Sequence, residues 1–274
     1  MLRSPLKAVG IAVAIGALAL GILRLPGALS RRTTPGPLIL ISIDTLRADH
    51  LPAYGYTAVR TPNIDAFAAE STVFDSAWSH SPQTLPSHTS ILSGQLPFEH
   101  GVRDNTGFIV KPNQWLVQRA LHDAGWRTGG FVSAYVLRRE TGIGQGFDTF
   151  DSDLPAAPPE ASIGQIRRDG SDTLDAASRW LDGQTDSKFF LFVHFYEPHK
   201  PYTPPARYGM YAPYDGEIAY ADELVGRLFD RLRAKGSTIA PPSCCLPITA
   251  KASAITANRS TACFSIGRRR TCRC

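Results

Sequence analysis

The chain has 274 residues and a mass of 29.8 kDa, with 43% hydrophobic and 19% charged residues. That balance excludes a disordered, collagenous or disulfide-scaffold protein and allows one large domain or two small ones. The net charge of +5 sits at the ends: residues 237–274 hold six Lys or Arg and no acid, residues 1–32 hold five and no acid, and residues 33–236 hold 18 basic against 24 acidic. The globular part is therefore acidic, and no electrostatic case for nucleic-acid binding survives.

At the N-terminus, Arg3 and Lys7 precede sixteen apolar or Gly residues from Ala8 to Leu23, broken by Arg24 and followed by residues 25–29, Arg31 and Arg32. A run of this length suits a signal-peptide core or a short membrane anchor better than a soluble helix. Residues 1–32 are thus expected to export the chain, leaving it periplasmic or anchored facing outward, with membrane association through this segment. Basic residues on both flanks leave the orientation open, and Ala17-Leu18-Ala19 offers small residues for cleavage although the apolar run continues past them.

Residues 33–236 read as one α/β domain. Leu38 to Ile43 follows Pro35-Gly36-Pro37 as a continuous apolar and β-branched run ending in Asp44, the pattern of a strand buried on both faces. An acid there is well placed for chemistry, because open α/β sheets bind ligands at the carboxyl ends of their strands. Helices are predicted over Asn63 to Glu70, over Gln114 to Ala124 and over Gly216 to Leu232, and further buried strands over Gly130 to Ala134 and Phe189 to Phe195. Strands alternating with helices imply a mainly parallel sheet.

The most informative stretch runs from Ser81 to Gly94. Pro86 suits the first helical position and Gly94 the position past the end, so a two-turn helix is predicted from about residue 86, with Leu85 held extended before the proline. Thr84 then stands just outside a helix N-terminus, where unpaired N–H groups and the helix dipole favour a developing alkoxide or a tetrahedral anion. His88 is expected to face the same ligand. On position alone, a Thr there is more often a cap than a nucleophile.

These residues resemble a known family. The run Ile41-Ser42-Ile43-Asp44-Thr45-Leu46-Arg47-Ala48-Asp49-His50, then Tyr54-Gly55-Tyr56, Thr61-Pro62-Asn63-Ile64-Asp65, Thr84-Leu85-Pro86-Ser87-His88 and His100-Gly101-Val102-Arg103-Asp104-Asn105 look like the N-terminal half of sulfatases, within the alkaline-phosphatase superfamily. Pro198-His199 and the helix from Gly216 continue the resemblance in order, over about residues 37–236. It implies an alkaline-phosphatase-like, mainly parallel sheet flanked by helices. It also implies a hydrolase of sulfate or phosphate esters with a covalent intermediate and a divalent metal, Ca2+, Mg2+, Mn2+ or Zn2+.

Asp44 matches the family's first metal-binding carboxylate, and Thr84 falls where sulfatases carry the Cys or Ser converted to formylglycine, a position that also contacts the metal. Thr is not expected to undergo that conversion. A Thr nucleophile is familiar from phosphodiesterase and phosphoethanolamine-transferase branches, so a phosphate ester remains an alternative substrate, and a non-catalytic envelope protein a third reading. His88 replaces the Arg usual in sulfatases, and His199 matches a substrate-binding or leaving-group His. An aliphatic hydroxyl needs a metal or a base to become a nucleophile at neutral pH, and a hard cation needs several oxygen ligands, so Asp44 alone cannot make such a site.

Residues 237–274 are anomalous. All five cysteines (Cys244, Cys245, Cys263, Cys272 and Cys274) lie there without a C-x-x-C pair, among Ser, Thr, Ala and Arg, and no helical or strand period is visible. Sulfatase-like chains continue at this point into a strand ending in Asp-His-Gly or Asp-Asn-Gly that supplies further metal ligands. If the tail is the same DNA read one base out of register, the shifted codons at Ile248, Thr249, Ala250 and Lys251 permit Asp, His, Gly and Glu, and those at Thr271 to Cys274 permit His-Val-Pro-Leu. The fold is on this account expected to be incomplete at its C-terminus, with an exposed sheet edge, poor folding and little activity.

Overall fold

A computed structural model describes residues 36–156, 159–185 and 188–235, with the backbone of 243–249 and 263–265. The segment 1–32 read as a signal or anchor lies outside the described residues, as does most of the tail from 237. Among the described residues no helix is long and apolar enough to cross a membrane.

Two strands form the centre of the sheet because their sequences are apolar on both faces. Strand β1 (Leu38–Asp44) pairs in parallel with β5 (Phe189–Phe195), which is buried along its whole length, and Ser42 stands opposite His194. The described sheet has the order β2 (Thr72–Val73), β7 (Cys263–Ser265), β6 (Ser243–Thr249), β1, β5, β3 (Arg127–Val132) and β4 (Thr149–Asp151). From β6 to β4 the strands are parallel, whereas β7 is antiparallel to both neighbours.

Side-chain alternation divides the core into two layers. Ile39, Ile41 and Ile43 of β1, with Leu191 and Val193 of β5, pack beneath helices α1 (Pro62–Ala69), α5 (Gly170–Asp182) and α6 (Pro213–Lys235). On the other face Phe190 and Phe192 meet Leu85 and Leu92 of α2 (Thr84–Ser93), and Leu116, Val117 and Leu121 at α4 (Val117–Asp123), with the short α3 (Pro97–His100) between these helices in the chain. The result is the expected α/β sheet with helices on both faces. Gly129 lets α5 approach β3 closely: a Cβ there would lie 2.7 Å from the Trp180 ring.

Several boundaries differ from those predicted. α2 begins at Thr84 rather than near residue 86, with Leu85 helical despite the proline that follows. Pro86 falls within the first turn, where its missing N–H has no intrahelical partner to lose. α4 begins at Val117 rather than Gln114, and β3 ends at Val132. Helix α5 was not foreseen although its signals are present: the Asp169 carboxylate caps it by accepting from Ser171 N at 2.8 Å, and Leu174, Ala177 and Leu181 repeat on its buried face.

The expectation of an exposed edge beside β1 is corrected. Residues Ser243 to Thr249 occupy that edge in parallel, pairing Leu38 to Leu40 with Ser243 to Cys245, and Ile43 and Asp44 with Ile248 and Thr249. The register is interrupted at Leu246 and Pro247, as a residue without an N–H requires. An unpaired strand edge is a template for any extended segment of high β propensity, and this part of the tail supplies one.

Candidate active site

Asp44 is the last residue of β1 and shares the face of Leu38, Leu40 and Ser42, the face that α2 covers. It is buried, and its Oδ2 accepts the Thr84 hydroxyl at 3.1 Å. The chain then turns sharply: Thr45 adopts φ 53°, in the left-handed region that a β-branched residue rarely enters, at a cost of about 1–3 kcal/mol. The turn is held from outside. Thr45 Oγ1 donates to Pro198 O, and Tyr214 of α6 donates to Thr45 O at 2.7 Å.

Thr84 is half-buried at the first turn of α2, inside the helix rather than before it. Asn105 fastens this turn, its Oδ1 accepting from Leu85 N at 2.8 Å while its own N–H donates to Gln83 Oε1 at 3.3 Å. One orphan donor of the helix start is thus satisfied by a side chain twenty positions away.

His88 does not face a ligand as expected. It is wholly buried with both ring nitrogens engaged, Nδ1 at 2.7 Å from Thr84 O and Nε2 at 2.7 Å from Ser42 Oγ. A carbonyl only accepts, so Nδ1 carries the hydrogen. Burial lowers its pKa to about 4, which keeps the ring neutral and makes Nε2 the acceptor of the Ser42 hydroxyl. His88 therefore braces Thr84 through its backbone and against β1.

Beside it lies His194 of β5, with ring centroids 4.9 Å apart and its Nε2 3.8 Å from Asp44 Oδ2. It is fully buried, and neither ring nitrogen has a hydrogen-bond partner among the described residues. Burial, and then the neighbouring His88, push its pKa well down.

His199 stands in the loop after β5, its ring stacked on Tyr196 at 4.3 Å and its Nδ1 donating to Lys200 O at 2.8 Å. The loop hangs on α6 through Glu217, a buried carboxylate that accepts from His199 N at 3.1 Å and Thr203 N at 2.7 Å. His199 and Thr45, the residue after Asp44, line a cleft of about 300 Å3. Thr84, Asp44 and the His199 loop therefore converge at the carboxyl ends of β1 and β5, while His88 supports them from within.

Three contributors escaped sequence reading: His194, Glu217 and the capping role of Asn105. His194 is hidden in an apolar run whose face assignment needs the register, and Glu217 in a helix read only for its apolar stripe. For a divalent cation, Asp44 and Thr84 fit as two neighbouring oxygen ligands. Among the described residues no group of three or more His, Cys, Asp or Glu completes a site, and Ile248 and Thr249 are the residues that β6 sets opposite Ile43 and Asp44.

The sulfatase family model matches residues 37–239. The human N-sulphoglucosamine sulphohydrolase is 27% identical over 163 residues, which are 58% of this chain and 31% of that protein. The 2-O GAG sulfatase BT1596 superposes with a TM-score of 0.63 at 15% identity, covering 84% of this chain and 64% of its own. The phosphonate monoester hydrolase of Agrobacterium radiobacter gives 0.62 at 18% identity, covering 78% and 62%. The chain spans about a third of the human relative's length.

Proposed function

This chain belongs to the sulfatase family, and from that premise we propose that its site serves the hydrolysis of sulfuric esters with Thr84 as nucleophile. The observation that carries the reading is the Thr84 hydroxyl directed at the buried Asp44 carboxylate, next in the chain to Thr45, which with His199 lines a cleft. The hydroxyl proton points to Asp44, which leaves the oxygen's lone pairs for the sulfur. Thr84 Oγ1 bonds to sulfur as the alcohol departs with a proton, and water then cleaves the Thr84 sulfate. Ester and water give alcohol and sulfate, and the hydroxyl is restored.

Sulfatase family enzymes generally use a divalent metal ion. Asp44 and Thr84 would hold it here, and it would supply Lewis acidity at the ester oxygens. His88 keeps the Thr84 carbonyl and β1 in register, Asn105 holds the helix start, and His199 meets the leaving group. The apolar run 8–23 supports export, with the site periplasmic or facing outward from a membrane anchor.

A second reading, hydrolysis or transfer of a phosphate ester, is favoured by one observation: Thr stands where sulfatases carry a residue convertible to an aldehyde. Assays of 4-nitrophenyl sulfate, bis(4-nitrophenyl) phosphate and phenyl phosphonate separate the two. They are to be run on the protein with its reading frame restored from codon 237, beside Thr84→Ala. Sulfate turnover lost in the variant supports the first reading, and turnover of phosphorus esters alone supports the second. Turnover that survives in the variant would overturn both, and absence of turnover in the restored protein would leave a non-catalytic envelope protein.

A further inference from the structure

The cleft that Thr45 and His199 line holds one cation, Lys200, that no acid neutralises among the described residues. Its wall is formed by Thr45, Arg47, His50, His199, Lys200, Tyr202 and Tyr214. The acids around it are already engaged. Asp49 takes Arg47 Nε at 2.9 Å and Nη2 at 2.6 Å, and Asp215 takes His50 Nδ1 at 2.7 Å and the Tyr56 hydroxyl at 2.8 Å. Glu217 is spent on the backbone of His199 and Thr203. Lys200 is exposed, and its ammonium has neither an ion pair nor a hydrogen bond among the described residues.

The remaining wall is aromatic. Tyr202 and Tyr214 meet edge to face with centroids 5.2 Å apart. The Tyr214 hydroxyl is already committed, donating to Thr45 O and accepting from Arg47 N at 3.0 Å. What Tyr214 offers the cleft is its ring. A flat apolar surface beside an unpaired ammonium suits a ring that bears an anion.

We propose that this cleft is an acid-selective subsite for the alcohol part of the ester, taking a ring with a second negative charge and pairing that charge with Lys200. The inference rests on the reading of Thr84 and Asp44 as the reacting corner, because it places the leaving group where Thr45 and His199 line the wall. Asp49 holds the Arg47 guanidinium and offsets its charge, so Lys200 is the flexible cation left to close on the anion.

The test is binding to the protein with its reading frame restored, at low salt, measured by calorimetry with phenyl sulfate and 4-carboxyphenyl sulfate, for the restored wild type, Lys200→Gln and Lys200→Arg. Lys200 is exposed, so neither substitution threatens the fold. The carboxylated probe is expected to bind about tenfold tighter to the wild type, as one charge-assisted hydrogen bond in a partly enclosed site warrants. The advantage should disappear in Lys200→Gln, return in Lys200→Arg and shrink with added salt. Equal binding of the two probes to the wild type, or an advantage that survives in Lys200→Gln, overturns the subsite and leaves the reacting corner standing. Absence of binding by either probe overturns the corner itself, and the subsite with it.

Discussion

Thr84 and Asp44 are forty residues apart in sequence and joined by a hydrogen bond of 3.1 Å, the hydroxyl donating to a carboxylate that is almost wholly buried. Nothing local brings them together. β1 ends at Asp44 because the chain turns at Thr45, and α2 starts at Thr84 because Asn105 fastens its first turn.

The Thr84→Val substitution keeps the shape of the side chain and removes the oxygen. In the frame-restored protein it should lower ester turnover at least about a thousandfold, the scale on which removing a nucleophile acts. Stability should fall by only about 1 kcal/mol, the worth of one hydrogen bond. Steady-state kinetics paired with urea denaturation check both. Turnover within tenfold of the wild type would show that another group attacks.

Asn105→Ala tests the fastening of α2. The Leu85 N–H loses its acceptor at a part-buried helix start, and about 1–2 kcal/mol of stability should go with it. Because Thr84 shares that turn, catalysis should fall too, and substrate dissociation constants should move less than turnover. Amide exchange at residue 85, read by mass spectrometry or NMR, would report the freed donor directly. Unchanged protection there would show that the cap is redundant.

The central strands were legible because burial on both faces writes a continuous apolar run, and Phe189 to Phe195 has the same bounds in sequence and structure. Asp44 was legible for the same reason, as the acid that ends such a run. The role of His88 was not. Its distance from Thr84 along the chain suggested a shared ligand, but one helical turn sets its ring against the Thr84 carbonyl and Ser42 instead. His194 is visible in the sequence only as one polar letter in an apolar strand, and its neighbour Asp44 emerges from the pairing of β5 with β1. Helix α5 was missed although the Asp169 cap and the repeat of Leu174, Ala177 and Leu181 stand in the sequence. The tail showed no period, yet Ser243 to Thr249 pair with β1 along its open edge.

The register of β6 makes the reading frame a structural question. Ile248 and Thr249 stand opposite Ile43 and Asp44, and these are the codons that a one-base shift permits to read as Asp and His. Sequencing the coding DNA across codons 230–274 should reveal the missing base. The chain as it stands should then show no turnover and no response to chelators. The restored protein, in which Asp and His would join the two oxygen ligands that alone do not retain a divalent cation, should hydrolyse its ester and lose that activity in EDTA. Metal-dependent turnover by the present chain would refute this account of residues 237–274.

Glu197 offers a test of burial that does not depend on the chemistry. Its carboxyl follows β5 and is almost entirely enclosed; Oε1 accepts from Gly170 N at 3.2 Å, and Oε2 has no partner among the described residues. Burial raises its pKa from 4.5 to about 7. The folded state therefore holds a proton that the unfolded chain releases at lower pH. The stability this group contributes is fully present below pH 4.5 and is lost as pH rises towards 7, and the shift corresponds to about 3 kcal/mol. Glu197→Gln has nearly the same shape and no charge to desolvate. It should match the wild type near pH 4.5 and exceed its stability by up to about 3 kcal/mol at pH 8, as measured by urea denaturation at the two pH values. A difference that does not change with pH would mean that the carboxylate is solvated in the folded protein.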